Sequence, residues 1–201
     1  MPAPRRSQTI TEGDLYAEII GDRPGWQRLA FDEFHKLVRG LLIKTLGPHA
    51  EIDDLVGEVF VGFFESARNI RSAEGMRSYM VSIIMNTARR EIRRRKRRRL
   101  LFWKDEPADS IERVPSTDDP KAKAALLQLS RILEGLGVEE RLAYVLHELD
   151  GLGLIEVAAA LGVSHSTAKR RVRRASEFVR RRVVRNALLT DYVREKAGDD
   201  S

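Results

Sequence analysis

Between Arg89 and Arg99 only Glu91 and Ile92 are not basic. Charge packed this densely repels itself unless it is solvated or meets an anion, and nucleic acid is the anion that fits such a run. A second cationic set, His165, Ser166, Lys169, Arg170, Arg173 and Arg174, comes after Ser164 at spacings that put it on the outward face of one helix. Those side chains suit phosphates and base edges in a major groove. A third group, His49, Asp53, Asp54 and Glu58, raises metal binding, since histidine with carboxylates ligates metals. The spacing argues otherwise: His49 comes after Pro48 ahead of a helix, and Asp53 and Asp54 fall where a helix N-terminus favours acids. His35, His147 and His165 stand without triad partners, and no glycine-rich phosphate loop occurs. These residues describe binding surfaces, so neither catalytic residues, a metal nor a cofactor is expected.

The surfaces need helices to carry them. Leu55, Val56, Val59, Phe60, Phe63 and Phe64 recur as one apolar stripe, while Asp54, Glu58 and Glu65 share another face of the same helix. Gly57 sits mid-helix at a cost of about 1 kcal/mol relative to Ala, which close packing or simple tolerance would explain. After the polar break from Asn69 to Gly75, Tyr79, Met80, Ile83, Ile84, Thr87 and Ala88 repeat every three to four residues and run on into Arg89. One long helix therefore leaves the core as a basic arm. Upstream, Ala30, Phe34, Leu37, Val38, Leu41, Leu42 and Thr45 form a stripe that stops at Gly47 and Pro48. Through the short connection after Pro48, this helix lies antiparallel to the acidic one, giving a three-helix core.

The second half begins near Lys121. Leu126, Leu129, Ile132 and Leu133 make one stripe, then Leu142, Val145, Leu146 and Leu149 another, closed by a turn at Asp150 and Gly151. Val157, Ala158 and Leu161 face inward on a short helix, and Gly162, Val163 and Ser164 turn the chain into a helix running to about Val184. This is helix-turn-helix spacing: Ala158 permits close approach, Gly162 takes a positive φ, Ser164 caps, and Ala168, Val172 and Ala175 point inward.

At 201 residues and 42% hydrophobic, the chain has material for one domain or two small ones, and its recurring helical periodicity predicts an all-α fold. The net charge of +6 is arranged in blocks. Asp105 to Pro120 carries three prolines and six acids against one arginine, a flexible acidic linker that can lie against the basic helices. Without cysteine, disulfides and thiolate metal sites are excluded. No stretch reaches the roughly 18 apolar residues of a membrane span and the N-terminus lacks a signal-peptide core, so a cytoplasmic protein without membrane insertion is expected.

The blocks DDLVGEVFVGFF, SYMVSIIMNTARREIRRR and LEGLGVEERLAYVLHELDGLGLIEVAAALGVSHSTAKRRVRRA together resemble the extracytoplasmic-function (ECF) group of bacterial sigma-70 sigma factors, in the family's order across about residues 28 to 180. The resemblance implies two small helical domains. The expected division is a weakly ordered 1–25 with a short helix over Glu12 to Ile20, a region 2 bundle over 26–103, a linker over 104–121, a region 4 helix-turn-helix over 122–185 and an extension over 186–201. It implies an alternative sigma factor that directs promoter recognition, with a DNA-binding regulator that never engages polymerase as the alternative. Asp53, Asp54 and Glu58 would grip the β′ clamp helices of core RNA polymerase. Tyr79, Asn86, Arg89, Arg90, Arg93, Arg94 and Arg97 would serve the −10 element, with Asn86 and the 69–75 loop forming a pocket for a flipped base. Ser164, His165, Ser166, Lys169, Arg170, Arg173 and Arg174 would read the −35 element. Region 4 would also dock on the β flap. The resemblance suggests an anti-sigma factor as a further partner, and implies no small-molecule substrate. Gly57, Tyr79 and Gly137 depart from residues common in the family, Gln, Trp and Pro respectively.

Overall fold

The structure, a computed structural model, describes residues 11–102 and 120–192. Among these residues every regular element is helical: α1 (Glu12–Ile20), α2 (Trp26–Leu46), α3 (Ile52–Ser66), α4 (Met76–Phe102), α5 (Pro120–Glu134), α6 (Val138–Tyr144), α7 (Leu154–Leu161) and α8 (His165–Val183). A 3-10 turn, Ala67–Asn69, comes after α3, and a π-helical turn, Val145–Leu149, extends α6. Most of the acidic linker, 103–119, lies outside the described residues.

The first half is built as its apolar stripes demand. Phe34 and Phe63 are fully buried, and Trp26 stands edge-on to Phe64 with ring centroids 5.4 Å apart. Burial of side chains this size contributes about 1.5–3 kcal/mol each. α2 ends at Gly47, whose φ of 78° an L side chain adopts only with strain, and a Cβ there would sit 3.0 Å from Ser130 Oγ. Gly57 is exposed with open space around it, so tolerance and not close packing accounts for it. Within the 1–25 segment, Thr11 and Asp14 form a capping box that starts α1, and Leu15 and Ile19 are fully buried.

α4 is one continuous helix from the core through the basic run, as expected. It is not a bare arm, because Ala88 and Ile92 are buried and α6 and α7 lie along it. The apolar cores of the two halves are continuous. α6 packs on α8, and α7 meets α8 through the turn at Gly162, whose φ is 65°. Ser164 caps α8 by accepting a hydrogen bond from the Thr167 backbone N–H. Val157, Ala158, Leu161, Ala168, Val172 and Ala175 are all buried, as the helix-turn-helix spacing requires.

Candidate nucleic-acid interface

On α8, the N-cap and first three turns divide cleanly into two faces. Ala168, Val172 and Ala175 point into the core, which leaves Ser164, His165, Ser166, Lys169, Arg170, Arg173 and Arg174 exposed together. No carboxylate occurs between Ser164 and Arg174, so the exposed face has one sign. Of the cations in the set, Arg173 has an ion pair among the described residues, with Glu177 one turn on at 3.8 Å. Arg171 is the exception to the outward pattern. It turns toward α6, and its Nη1 lies 3.2 Å from Glu139 Oε2.

Six of the nine cations between Arg89 and Arg99 pair with carboxylates among the described residues. Arg89 donates to both oxygens of Glu139, at 2.9 and 3.3 Å, and Arg93 reaches the same carboxylate at 3.4 Å. Arg90 donates to Glu58 at 2.8 Å and Arg94 to Glu51 at 2.7 Å, both on the α3 side. Arg99 approaches Glu134 of α5 at 3.4 Å. Within α4 itself Glu91, 3% exposed, accepts from Arg94 and Arg95 at 2.6 Å each. Burial opposes ionisation of Glu91, but these hydrogen bonds outweigh it and hold the carboxyl below the usual glutamate range. Arg97 and Lys96 are exposed and carry no ion pair among the described residues.

One half-buried group and one buried group show the same electrostatic pressure. The His49 ring faces the Arg95 guanidinium and the Glu51 backbone N–H, two donors that a protonated ring would repel. Burial, reinforced by Arg95, pulls its pKa down to about 4. Arg141 is 5% exposed, and its Nε finds no hydrogen-bond partner among the described residues. Burial pulls its pKa down to about 10 against the attraction of Glu134.

The acidic surface is on α3. Asp53, Asp54 and Glu58 are all exposed; Asp53 pairs with Arg39 of α2, and Glu58 with Arg90. Asp54 and Glu58 line one wall of an open groove of about 1000 Å³, and Arg90, Arg93, Arg94 and Arg97 line the other. Two of the three expected polymerase-facing acids and four of the five expected DNA-facing arginines of α4 therefore share a single depression.

Tyr79 and Asn86 are placed differently from one another. Tyr79 is half-buried with its ring 6.5 Å from that of Phe63, while Asn86 is exposed and accepts from Arg89 Nη1 at 2.5 Å. The 69–75 loop is held at the start of α4 by backbone bonds from Gly75 to Ser72 and from Met76 to Ala73. Asn86 lies ten residues beyond Met76, about 15 Å along the helix axis. Sequence reasoning missed Glu139 and Arg171, which have no local signal that they meet.

Comparison with known proteins places this geometry. Residues 30–98 match the model of Sigma-70 region 2, and residues 126–179 that of Sigma-70, region 4. The ECF RNA polymerase sigma-E factor of Escherichia coli (strain K12) is 25% identical over 186 residues, covering 88% of this chain and 96% of that protein. The ECF RNA polymerase sigma factor SigM of Mycobacterium tuberculosis (strain ATCC 25618 / H37Rv) is 26% identical over 162 residues, covering 80% of this chain and 78% of its own. Among solved structures, CnrH in complex with the cytosolic domain of CnrY matches with a TM-score of 0.66 at 18% identity, over 88% of this chain and 99% of that one. The sigma factor RpoE in complex with the anti-sigma factor NepR from Bartonella quintana matches with a TM-score of 0.56, also at 18% identity, over 77% and 94%. At that identity the structural likeness is one of fold. The two regions, in this order and across most of the chain, make it a member of the ECF group of the sigma-70 family of RNA polymerase sigma factors.

Proposed function

We propose that this chain is an alternative sigma factor that binds core RNA polymerase in the cytoplasm and directs it to promoters through their −10 and −35 elements. The observation that carries the reading is an acidic, exposed face on α3 succeeded by the exposed, one-signed face of α8, in the order of regions 2 and 4. In this reading the part over 26–103 engages polymerase through Asp53, Asp54 and Glu58 and the −10 element through Asn86, Tyr79 and the arginines of α4. The part over 122–185 reads the −35 element and meets the β flap. The chain acts by binding and positioning, with no turnover of its own. The solved relatives CnrH and RpoE are each held by a second protein, RpoE by an anti-sigma factor. By that likeness an anti-sigma factor is a partner proposed here as well.

Co-purification with core RNA polymerase tests the reading, with run-off transcription from a promoter library as its functional counterpart. The parent chain is expected to associate and to start transcripts, and Asp54→Arg with Glu58→Arg to lose both. Promoter binding that is unaffected by core polymerase, with no association at low salt, would overturn it in favour of a stand-alone DNA-binding regulator.

A further inference from the structure

Among the described residues, Glu139 is the carboxylate that touches both basic helices. Arg89 grips it from α4 with two hydrogen bonds, at 2.9 and 3.3 Å, Arg93 adds a third at 3.4 Å, and Arg171 of α8 lies 3.2 Å from its Oε2. Arg89, Arg171 and Glu139 are 18%, 21% and 27% exposed and Arg93 is 60% exposed, so three of the four groups have largely left water and Arg93 faces it. Three cations around one anion leave an excess of two positive charges. Such an excess is costly in a partly desolvated site and is better matched by a chain of phosphates than by one carboxylate. A guanidinium fork accepts carboxylate and phosphate with the same bidentate geometry.

We propose that Arg89, Arg93 and Arg171 form a single anion site spanning the two halves of the chain, occupied in the free protein by Glu139 standing in for a nucleic-acid phosphate. While Glu139 holds the site, α4 is kept against α6 and the α8 packed on it, and the backbone-binding cations of α4 are withheld from DNA. Lys44 to Asp150 at 2.8 Å and Arg99 to Glu134 at 3.4 Å close the same seam on either side. A polyanion that displaces Glu139 takes the α4 arginines and releases α6 with α8 packed on it, so nucleic acid and the closed arrangement compete for the same guanidinium groups. The identity of the polyanion rests on the sigma-factor reading, whereas the latch itself rests only on these contacts.

The absence of cysteine allows a site-specific pair of spin labels at Ser78→Cys on α4 and Arg181→Cys on α8, both exposed positions. In the full-length chain, Glu139→Gln is expected to lengthen and broaden the label distance. The same variant is expected to bind a short non-promoter duplex about ten-fold more tightly than the parent at moderate salt, read by fluorescence anisotropy. Addition of that duplex to the parent should shift the distance in the same direction. Arg89→Gln with Arg93→Gln removes the α4 limb while leaving the carboxylate in place, and must lengthen the distance too; it decides the matter if Glu139→Gln melts below the assay temperature. An unchanged distance in the folded variants, or duplex binding no tighter for Glu139→Gln than for the parent, would overturn the proposal. Core-polymerase association of the parent is measured in parallel: its loss would remove the sigma-factor reading, while an intact response to Glu139→Gln would leave the latch standing.

Discussion

Arg90 Nη2 donates to Glu58 Oε1 across 2.8 Å, so a cation on the helix proposed to meet DNA and an acid on the helix proposed to meet polymerase neutralise one another. The pair is 66% and 50% exposed, and an ion pair so open to water contributes about 0–1 kcal/mol to stability. Glu58→Ala is therefore expected to leave the melting temperature nearly unchanged while weakening capture by core polymerase. Arg90→Ala should preserve that capture and lower only DNA affinity. A pull-down and a thermal melt on each variant check this, and a large loss of stability from either would contradict the pair's exposure.

The two cationic surfaces should fail in different ways. Replacing Arg93, Arg94 and Arg97 by Ala is expected to weaken binding to all promoters alike. The salt slope should fall by about 0.7–0.9 for each phosphate no longer neutralised. Replacing Lys169, Arg170 or Arg173 should instead alter which −35 sequence is preferred, by about 1–3 kcal/mol for each base no longer hydrogen-bonded. Titrations over a −35 library at several salt concentrations separate the two behaviours.

Asn86 is exposed on α4 and tied to Arg89, in a helix position where Asn has only middling propensity. Asn86→Ala is expected to fold and to bind core polymerase like the parent, yet to open promoters poorly and lose discrimination at one −10 position. Permanganate footprinting of the melted region reads this directly. Equal opening by mutant and parent on every −10 variant would show that Asn86 has no part in it.

His49 gives the fold a pH dependence. Its folded-state pKa is depressed to about 4 from the ordinary 6.5, so the neutral ring is the form that folding favours. The contribution is fully present above pH 6.5 and is lost as pH falls toward 4, with a ceiling of about 3 kcal/mol. His49→Gln is expected to flatten the part of the stability curve between those values, as measured by urea unfolding at a series of pH values.

Gly57 sits in the middle of α3, exposed, with nothing within 4 Å of a Cβ added there. Gly57→Ala is expected to stabilise the chain by about 1 kcal/mol through helix propensity alone. For a protein of this size that raises the melting temperature by about 2–4 °C, which a thermal melt checks.

Much of the fold is legible in the sequence because its signals are local. The stripe from Leu55 to Phe63, the stop at Gly47, the continuity of α4 and the Gly162–Ser164 turn each depend on residues within a few positions of one another. The outward set on α8 is a consequence of the inward positions of Ala168, Val172 and Ala175. The pairings across the chain are not legible in this way. Nothing beside Arg89 or Arg171 announces that both meet Glu139, since that depends on how α6 is seated against α4.

The widened turn from Val145 to Leu149 escapes the sequence for a related reason, as its apolar spacing suits an ordinary helix equally well. Asp150 N–H bonds back to the Val145 carbonyl, five residues away instead of four. That additional residue sets the direction in which the end of the helix faces, and there Lys44 meets both the Leu149 carbonyl and Asp150. Removing one residue from this turn would return it to four-residue bonding and move the Leu149 carbonyl and Asp150 by one position relative to Lys44. The joint with α2 would be broken with every side-chain type still represented, so this stretch should tolerate substitution far better than a change of length.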